Sequence, residues 1–76
     1  MVVVYSKPGC QPCRLTKKVL DDQGTEYVEK DVTADPEALR TVQELGYLGV
    51  PVVVASSENH WQGLLPDRLK QLASPS

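Results

Sequence analysis

Two cysteines, Cys10 and Cys13, are the only cysteines of this 76-residue chain, and two residues separate them. Cysteines at this spacing can form a reversible disulfide, in which the thiolate of one cysteine is the attacking group during exchange. Pro12 stands between them, and Lys7 and Arg14 place positive charge on either side. The pattern predicts a redox-active dithiol.

The pair lies where a strand should give way to a helix. The apolar run from Val2 to Val4 predicts a buried strand, and the segment from Gln11 to about Gln23 predicts a helix. A sulfur at a helix start faces backbone N–H groups without intrahelical partners and the positive end of the helix dipole. We therefore expect Cys10 to be the attacking thiolate. Cys13, one turn later, is expected to close the disulfide.

Other uses of two cysteines remain open. A structural disulfide here would close too short a loop to constrain the unfolded chain much. A zinc site usually needs four ligands, and the single histidine, His60, is far along the chain. A third alternative is an iron–sulfur or metal-binding module that draws its cysteines from two chains. We predict no metal ligands within one chain.

The length and charge limit the other function classes. Residues 1–73 are expected to form one small domain, with residues 74–76 as a loose tail. The net charge is −2 without a basic cluster, so neither nucleic acid nor a membrane surface is an expected partner. The N-terminal residues do not resemble a signal peptide or a membrane span. We expect a monomer in the reducing cytoplasm.

The order of elements predicts an α/β fold. The pattern β-α-β-α-β-β-α follows from strands at 1–5, 27–32, 50–55 and 60–62, and from helices at 11–23, 36–45 and from Pro66 or Asp67. The first two strands should be parallel and the last two antiparallel, in a mixed four-stranded sheet with helices on both faces. The inward residues of the first two helices should be Leu15, Val19, Leu20, Leu39, Val42 and Leu45.

Three stretches together resemble a known family. They are Cys10-Gln11-Pro12-Cys13, then Val50-Pro51 before the third strand, and then Trp61-Gln62-Gly63-Leu64-Leu65-Pro66. The first two are similar to the glutaredoxin-type thioredoxin fold. The Trp-x-Gly-x-x-Pro pattern resembles the NrdH-type redoxins of bacteria and their phages. The resemblance covers nearly the whole chain.

The resemblance implies a thiol–disulfide oxidoreductase that binds no cofactor of its own. Its electrons would come ultimately from NADPH through the flavin enzyme thioredoxin reductase, and would pass to the large subunit of a class Ib ribonucleotide reductase. It also implies that Pro51 follows a cis peptide bond beside the dithiol. The backbone of Val50 would then bind an extended substrate segment by strand-like hydrogen bonds.

The residues expected to contact substrate or partner surround the dithiol in this scheme. They are Tyr5, Lys7, Gln11, Pro12, Val50, Pro51, Trp61, Gly63, Leu64 and Leu65. For Tyr5 and Trp61, packing in the core is a competing interpretation, and a lone tryptophan more often packs. His60 is interpreted as a surface strand residue.

The chain also departs from its relatives' patterns. Typical NrdH-type sequences have Ser, Phe and Arg where this chain has Gln62, Leu64 and Leu65. Glutathione-binding relatives have a Gly-Gly followed by polar residues near this point, and two leucines offer no partner for the charges of glutathione. We expect weak glutathione binding. A glutathione-dependent glutaredoxin remains the alternative.

Overall fold

The computed structural model describes residues 1–73. Its elements are β1 (Val2–Ser6), α1 (Gln11–Asp22), β2 (Tyr27–Asp31), α2 (Pro36–Glu44), β3 (Val52–Val54), β4 (His60–Gln62) and α3 (Pro66–Lys70). The predicted order of strands and helices is confirmed. The expected tail at 74–76 lies outside the described residues, and the assignment of 1–73 to one domain stays a prediction. No helix among residues 1–73 has the length and apolar character needed to cross a membrane.

The four strands form one mixed sheet in the order β2-β1-β3-β4. β1 and β2 are parallel, whereas β3 is antiparallel to both β1 and β4. β1 is therefore a central strand. Its neighbouring residues Val4 and Tyr5 point to opposite faces of the sheet, and both are buried. The prediction of a buried strand is thus confirmed at Val4.

Each face of the sheet has its own apolar cluster. On the side of α1 and α3 the cluster contains Val4, Leu20, Val53, Trp61 and Leu69. On the side of α2 it contains Tyr5, Ala38, Val42 and Val52. Helices thus cover both faces, as predicted.

The predicted inward side of α1 is partly wrong. The buried residues are Cys13, Thr16 and Leu20, whereas Leu15 is 41% exposed. Because Cys13 faces inward, the residues three and seven positions later share its side of the helix, and Leu15 is turned away from it. In α2, Leu39 is likewise 41% exposed, and Ala38 is buried beside Val42 instead.

The third strand begins later than predicted. It starts at Val52, so Val50 and Pro51 lie outside the ladder, because proline has no N–H to donate to a neighbouring strand. It also ends at Val54, where the amide of Ala55 already bonds the carbonyl of Asn59 in the following turn. The shorter strand leaves the Val50 backbone outside the ladder, near the start of α1.

Candidate active site

The dithiol sits at the junction of β1 and α1, as the sequence predicted. β1 ends at Ser6, and Gly9 has a φ of +75°, a left-handed conformation that suits glycine. Cys10 is the N-cap of α1, and a disulfide joins it to Cys13, with their Cα atoms 5.2 Å apart. Pro12 lies in the first helical turn, where no amide donor is needed.

The two sulfurs have different surroundings. Cys10 is 7% exposed, whereas Cys13 is 1% exposed. The backbone N–H of Cys13 donates to the Cys10 sulfur at 3.2 Å. Once the disulfide is reduced, this donor and the helix dipole would favour a thiolate on Cys10. The less buried cysteine is thus also the one that caps the helix N-terminus.

The bond between Val50 and Pro51 is cis, as the resemblance implied. The carbonyl oxygen of Val50 lies 4.0 Å from the Cys10 sulfur. Pro51 is buried, and its carbonyl oxygen accepts a 2.7 Å hydrogen bond from the amide of Gly63. The turn at Gly63 is therefore tied to the backbone that borders the dithiol.

The other expected contact residues separate into two groups. Lys7, Gln11 and Pro12 are exposed around the start of α1. Tyr5 and Trp61 are 6% and 4% exposed and belong to the two apolar clusters, which agrees with the packing interpretation.

The two leucines of the following turn differ. Leu64 is half-buried against the cluster on the α1 side. Leu65 is 40% exposed and is the N-cap of α3, without a side-chain cap hydrogen bond. Of the two, Leu65 is therefore the one available to a ligand.

An apolar groove that reaches Val50, whose carbonyl borders the Cys10 sulfur, was not expected from the sequence. It has a volume of about 210 Å³, and its lining includes Lys7, Leu39, Tyr47, Leu48 and Val50. Leu48 is 99% exposed. Tyr47 and Leu48 lie in the loop between α2 and β3, and the Tyr47 hydroxyl anchors this loop by a 2.7 Å hydrogen bond with Nδ1 of His60. The exposure of Leu39 and Leu48 depends on how α2 and this loop pack, which no local pattern reveals.

A polar network beside the junction was not expected from the sequence. One carboxylate oxygen of Glu29, on β2, accepts hydrogen bonds from the Ser6 hydroxyl and from Nζ of Lys17, each at 2.7 Å. The bond from Lys17 and then that from Ser6 lower the pKa of Glu29, against a smaller opposing effect of burial. The network joins the end of β1 to α1, the two elements that carry the dithiol.

Replacement of Glu29 by glutamine should remove part of the acid sensitivity of the fold. Because the pKa of Glu29 is lowered on folding, its contribution is present above its ordinary pKa of 4.5 and is lost as pH falls through the lowered pKa. Urea unfolding at about pH 7 and about pH 3 should show a smaller loss of stability for Glu29→Gln than for the parent.

The exposed pair of Lys18 and Asp22 on α1, 3.2 Å apart, provides the matched control. Asp22→Asn should change the acid sensitivity much less, since the side chains of this pair are 70% and 67% exposed, against 27% and 41% for Lys17 and Glu29. An equal effect of the two substitutions would contradict the role given to Glu29.

A disulfide at a helix start, whose less buried cysteine lies next to a cis proline, defines a thiol–disulfide oxidoreductase of the thioredoxin fold. Residues 2–61 match the family model described as Glutaredoxin. Among residues 1–73, no group of three or more His, Cys, Asp or Glu side chains is arranged to hold a metal ion.

Similar proteins place the chain more narrowly. It is 33% identical over 73 residues to the glutaredoxin-like protein NrdH of Lactococcus lactis, and the alignment covers 96% of this chain and 100% of the relative. It is 40% identical over 72 residues to the Gene 56 protein of Mycobacterium phage L5, and the alignment covers 93% of this chain and 70% of the phage protein. The solved structure of NrdH-redoxin from Escherichia coli superposes on this chain with a TM-score of 0.89 at 28% identity. The superposition covers 99% of this chain and 96% of the solved one. The chain belongs to the glutaredoxin family, in its branch of NrdH-type redoxins.

Proposed function

We propose that this oxidoreductase carries electrons from thioredoxin reductase to the large subunit of a class Ib ribonucleotide reductase. The electrons come ultimately from NADPH through the flavin of the reductase, and the carrier works as a monomer in the cytoplasm. The likeness to NrdH proteins supports this assignment. The E. coli relative is described as having a thioredoxin-like activity profile.

The observation that carries the proposal is the apolar surface beside the dithiol. Leu48 is fully exposed on the groove that reaches Val50, and Leu65 is exposed in the turn bonded to Pro51. Burying such side chains against a protein partner would stabilise the complex by about 25 cal/mol per Å² of apolar area removed from water. The two leucines offer no partner to the charged groups of glutathione, and Lys7 on the same groove could pair only with a carboxylate.

In the proposed mechanism, the thiolate of Cys10 attacks a disulfide of ribonucleotide reductase. A mixed disulfide forms, and one substrate sulfur leaves as a thiolate. Cys13 then attacks the Cys10 sulfur, closes the Cys10–Cys13 disulfide and releases the second substrate sulfur. During the first step, the free backbone of Val50 aligns the substrate segment by strand-like hydrogen bonds.

The test uses class Ib ribonucleotide reductase with the reduced protein as the only dithiol, so that each oxidation yields one deoxyribonucleotide. Leu48→Ser should lower kcat/KM by at least about tenfold, because burying one leucine side chain contributes about 1.5–3 kcal/mol. The reduction of a small aromatic disulfide should stay unchanged. Val28→Ser, at a residue 40% exposed on β2, is the control and should leave both reactions unchanged.

Failure of the reduced protein to support any deoxyribonucleotide formation would refute the proposal. If Leu48→Ser instead slowed both reactions equally, the groove would have no role in docking the protein substrate.

A further inference from the structure

The hydroxyl of Thr16 is a buried polar group without a hydrogen-bond partner. Thr16 is completely buried, and its Oγ1 has no partner among residues 1–73. A threonine within a helix usually donates to the carbonyl of the residue three or four positions before it, which here is Cys13 or Pro12. Neither bond forms. Native proteins rarely leave such a group unsatisfied, and a redox role is one recognised reason.

The position of Thr16 suggests what its partner is. It follows Cys13 by three residues on the buried side of α1. Side chains on a helix lean toward its N-terminus, so that of Thr16 leans over the turn that carries the Cys13 side chain. Cys13 is 1% exposed, so water does not solvate its sulfur. In the disulfide this sulfur is only a weak acceptor, but it becomes a strong one as a thiolate.

We propose that Thr16 is a positioning residue whose hydroxyl donates a hydrogen bond to the Cys13 sulfur only when the disulfide is open. The bond stabilises the dithiol relative to the disulfide and holds the Cys13 thiolate ready to attack. In that attack the Cys13–Cys10 bond forms, the bond from Cys10 to substrate breaks, and the electron pair leaves with the substrate sulfur, which takes up the proton lost by the Cys13 thiol. Thr16 keeps its proton. The inference rests on the assignment of Cys13 as the resolving cysteine.

Two substitutions separate the hydroxyl from the shape of the side chain. Thr16→Val keeps the volume and removes the hydroxyl, whereas Thr16→Ser keeps the hydroxyl. The valine variant loses the bond in the dithiol and removes an unsatisfied group from the disulfide, and both changes favour the disulfide. Its equilibrium with a dithiothreitol redox buffer should shift about tenfold toward the oxidised form. This shift corresponds to a reduction potential about 30 mV more negative than that of the parent. The serine variant should stay near the parent.

The readouts distinguish this role from packing alone. If Thr16 only fills space, the valine variant will match the parent in its redox equilibrium, and that result would overturn the proposal. A serine variant shifted as far as the valine variant would do the same. Should Thr16→Val not fold, Thr16→Ala also lacks the hydroxyl, and the same shift is expected. Urea unfolding of each variant, oxidised and reduced, should give a matching difference between the two states.

The measurement is independent of the proposed partners. The redox buffer replaces both thioredoxin reductase and ribonucleotide reductase, so an unshifted equilibrium leaves the electron route untouched. Conversely, failure with ribonucleotide reductase would not alter the equilibrium of the Thr16 variants.

Discussion

Cys10→Ser should abolish disulfide reduction, whereas Cys13→Ser should still attack a substrate disulfide and then stay attached to it. Cys10 is the more exposed of the two, is the N-cap of α1 and lies 4.0 Å from the Val50 carbonyl. Cys13 is 1% exposed and out of reach of a protein substrate. Turnover should fall by at least about three orders of magnitude in either variant, as expected for loss of an essential nucleophile.

The two variants differ in what they trap. After mixing with oxidised substrate, Cys13→Ser should give a covalent complex that mass spectrometry detects and dithiothreitol releases. Cys10→Ser and the double variant should give none. The assignment of roles is wrong if the complex forms with Cys10→Ser, or if neither single variant traps substrate.

NADPH oxidation should be at least about tenfold faster with thioredoxin reductase than with glutathione and glutathione reductase. A glutathione molecule bound beside Leu65 would give up water around its charged groups without replacement hydrogen bonds. Each unsatisfied group costs about 1–3 kcal/mol, which amounts to one or two decades of affinity. Equal concentrations of the protein in the two coupled assays give the comparison.

The structure indicates which leucine to change. Leu64 packs against the core, so a charge there would also destabilise the fold. Leu65→Asp instead adds a carboxylate for the ammonium group of glutathione, and aspartate is a good N-cap for α3. This variant should use glutathione more efficiently. Val28→Asp, at an equally exposed residue on β2, should not.

Faster turnover of the unaltered protein with glutathione would place it among the glutathione-dependent glutaredoxins. In that case the apolar surface beside the dithiol would not select between the two donors. An unchanged glutathione rate in Leu65→Asp would refute only the local argument about that turn.

Local sequence determined the elements and the chemistry they carry. The start of α2 is one example: Asp35 stands directly before Pro36, as an N-cap should, and its carboxylate accepts bonds from the amides of Glu37 and Ala38 at 3.0 and 3.3 Å. The dithiol at the strand–helix junction is another. Helix caps, turn residues and the spacing of cysteines depend on residues only a few positions apart. They can therefore be predicted directly from the sequence.

Only the tertiary structure decided which side chains face the site. The burial of Thr16 instead of Leu15 depends on how α1 is rotated against the sheet. The bonds of Glu29 to Ser6 and Lys17 depend on the pairing of β1 with β2, across sequence separations of 23 and 12 residues. Long-range packing sets these relations, and no local pattern encodes them. The sequence by itself thus determined that the protein exchanges disulfides, whereas the packing decided how far each cysteine is buried and which groups surround it.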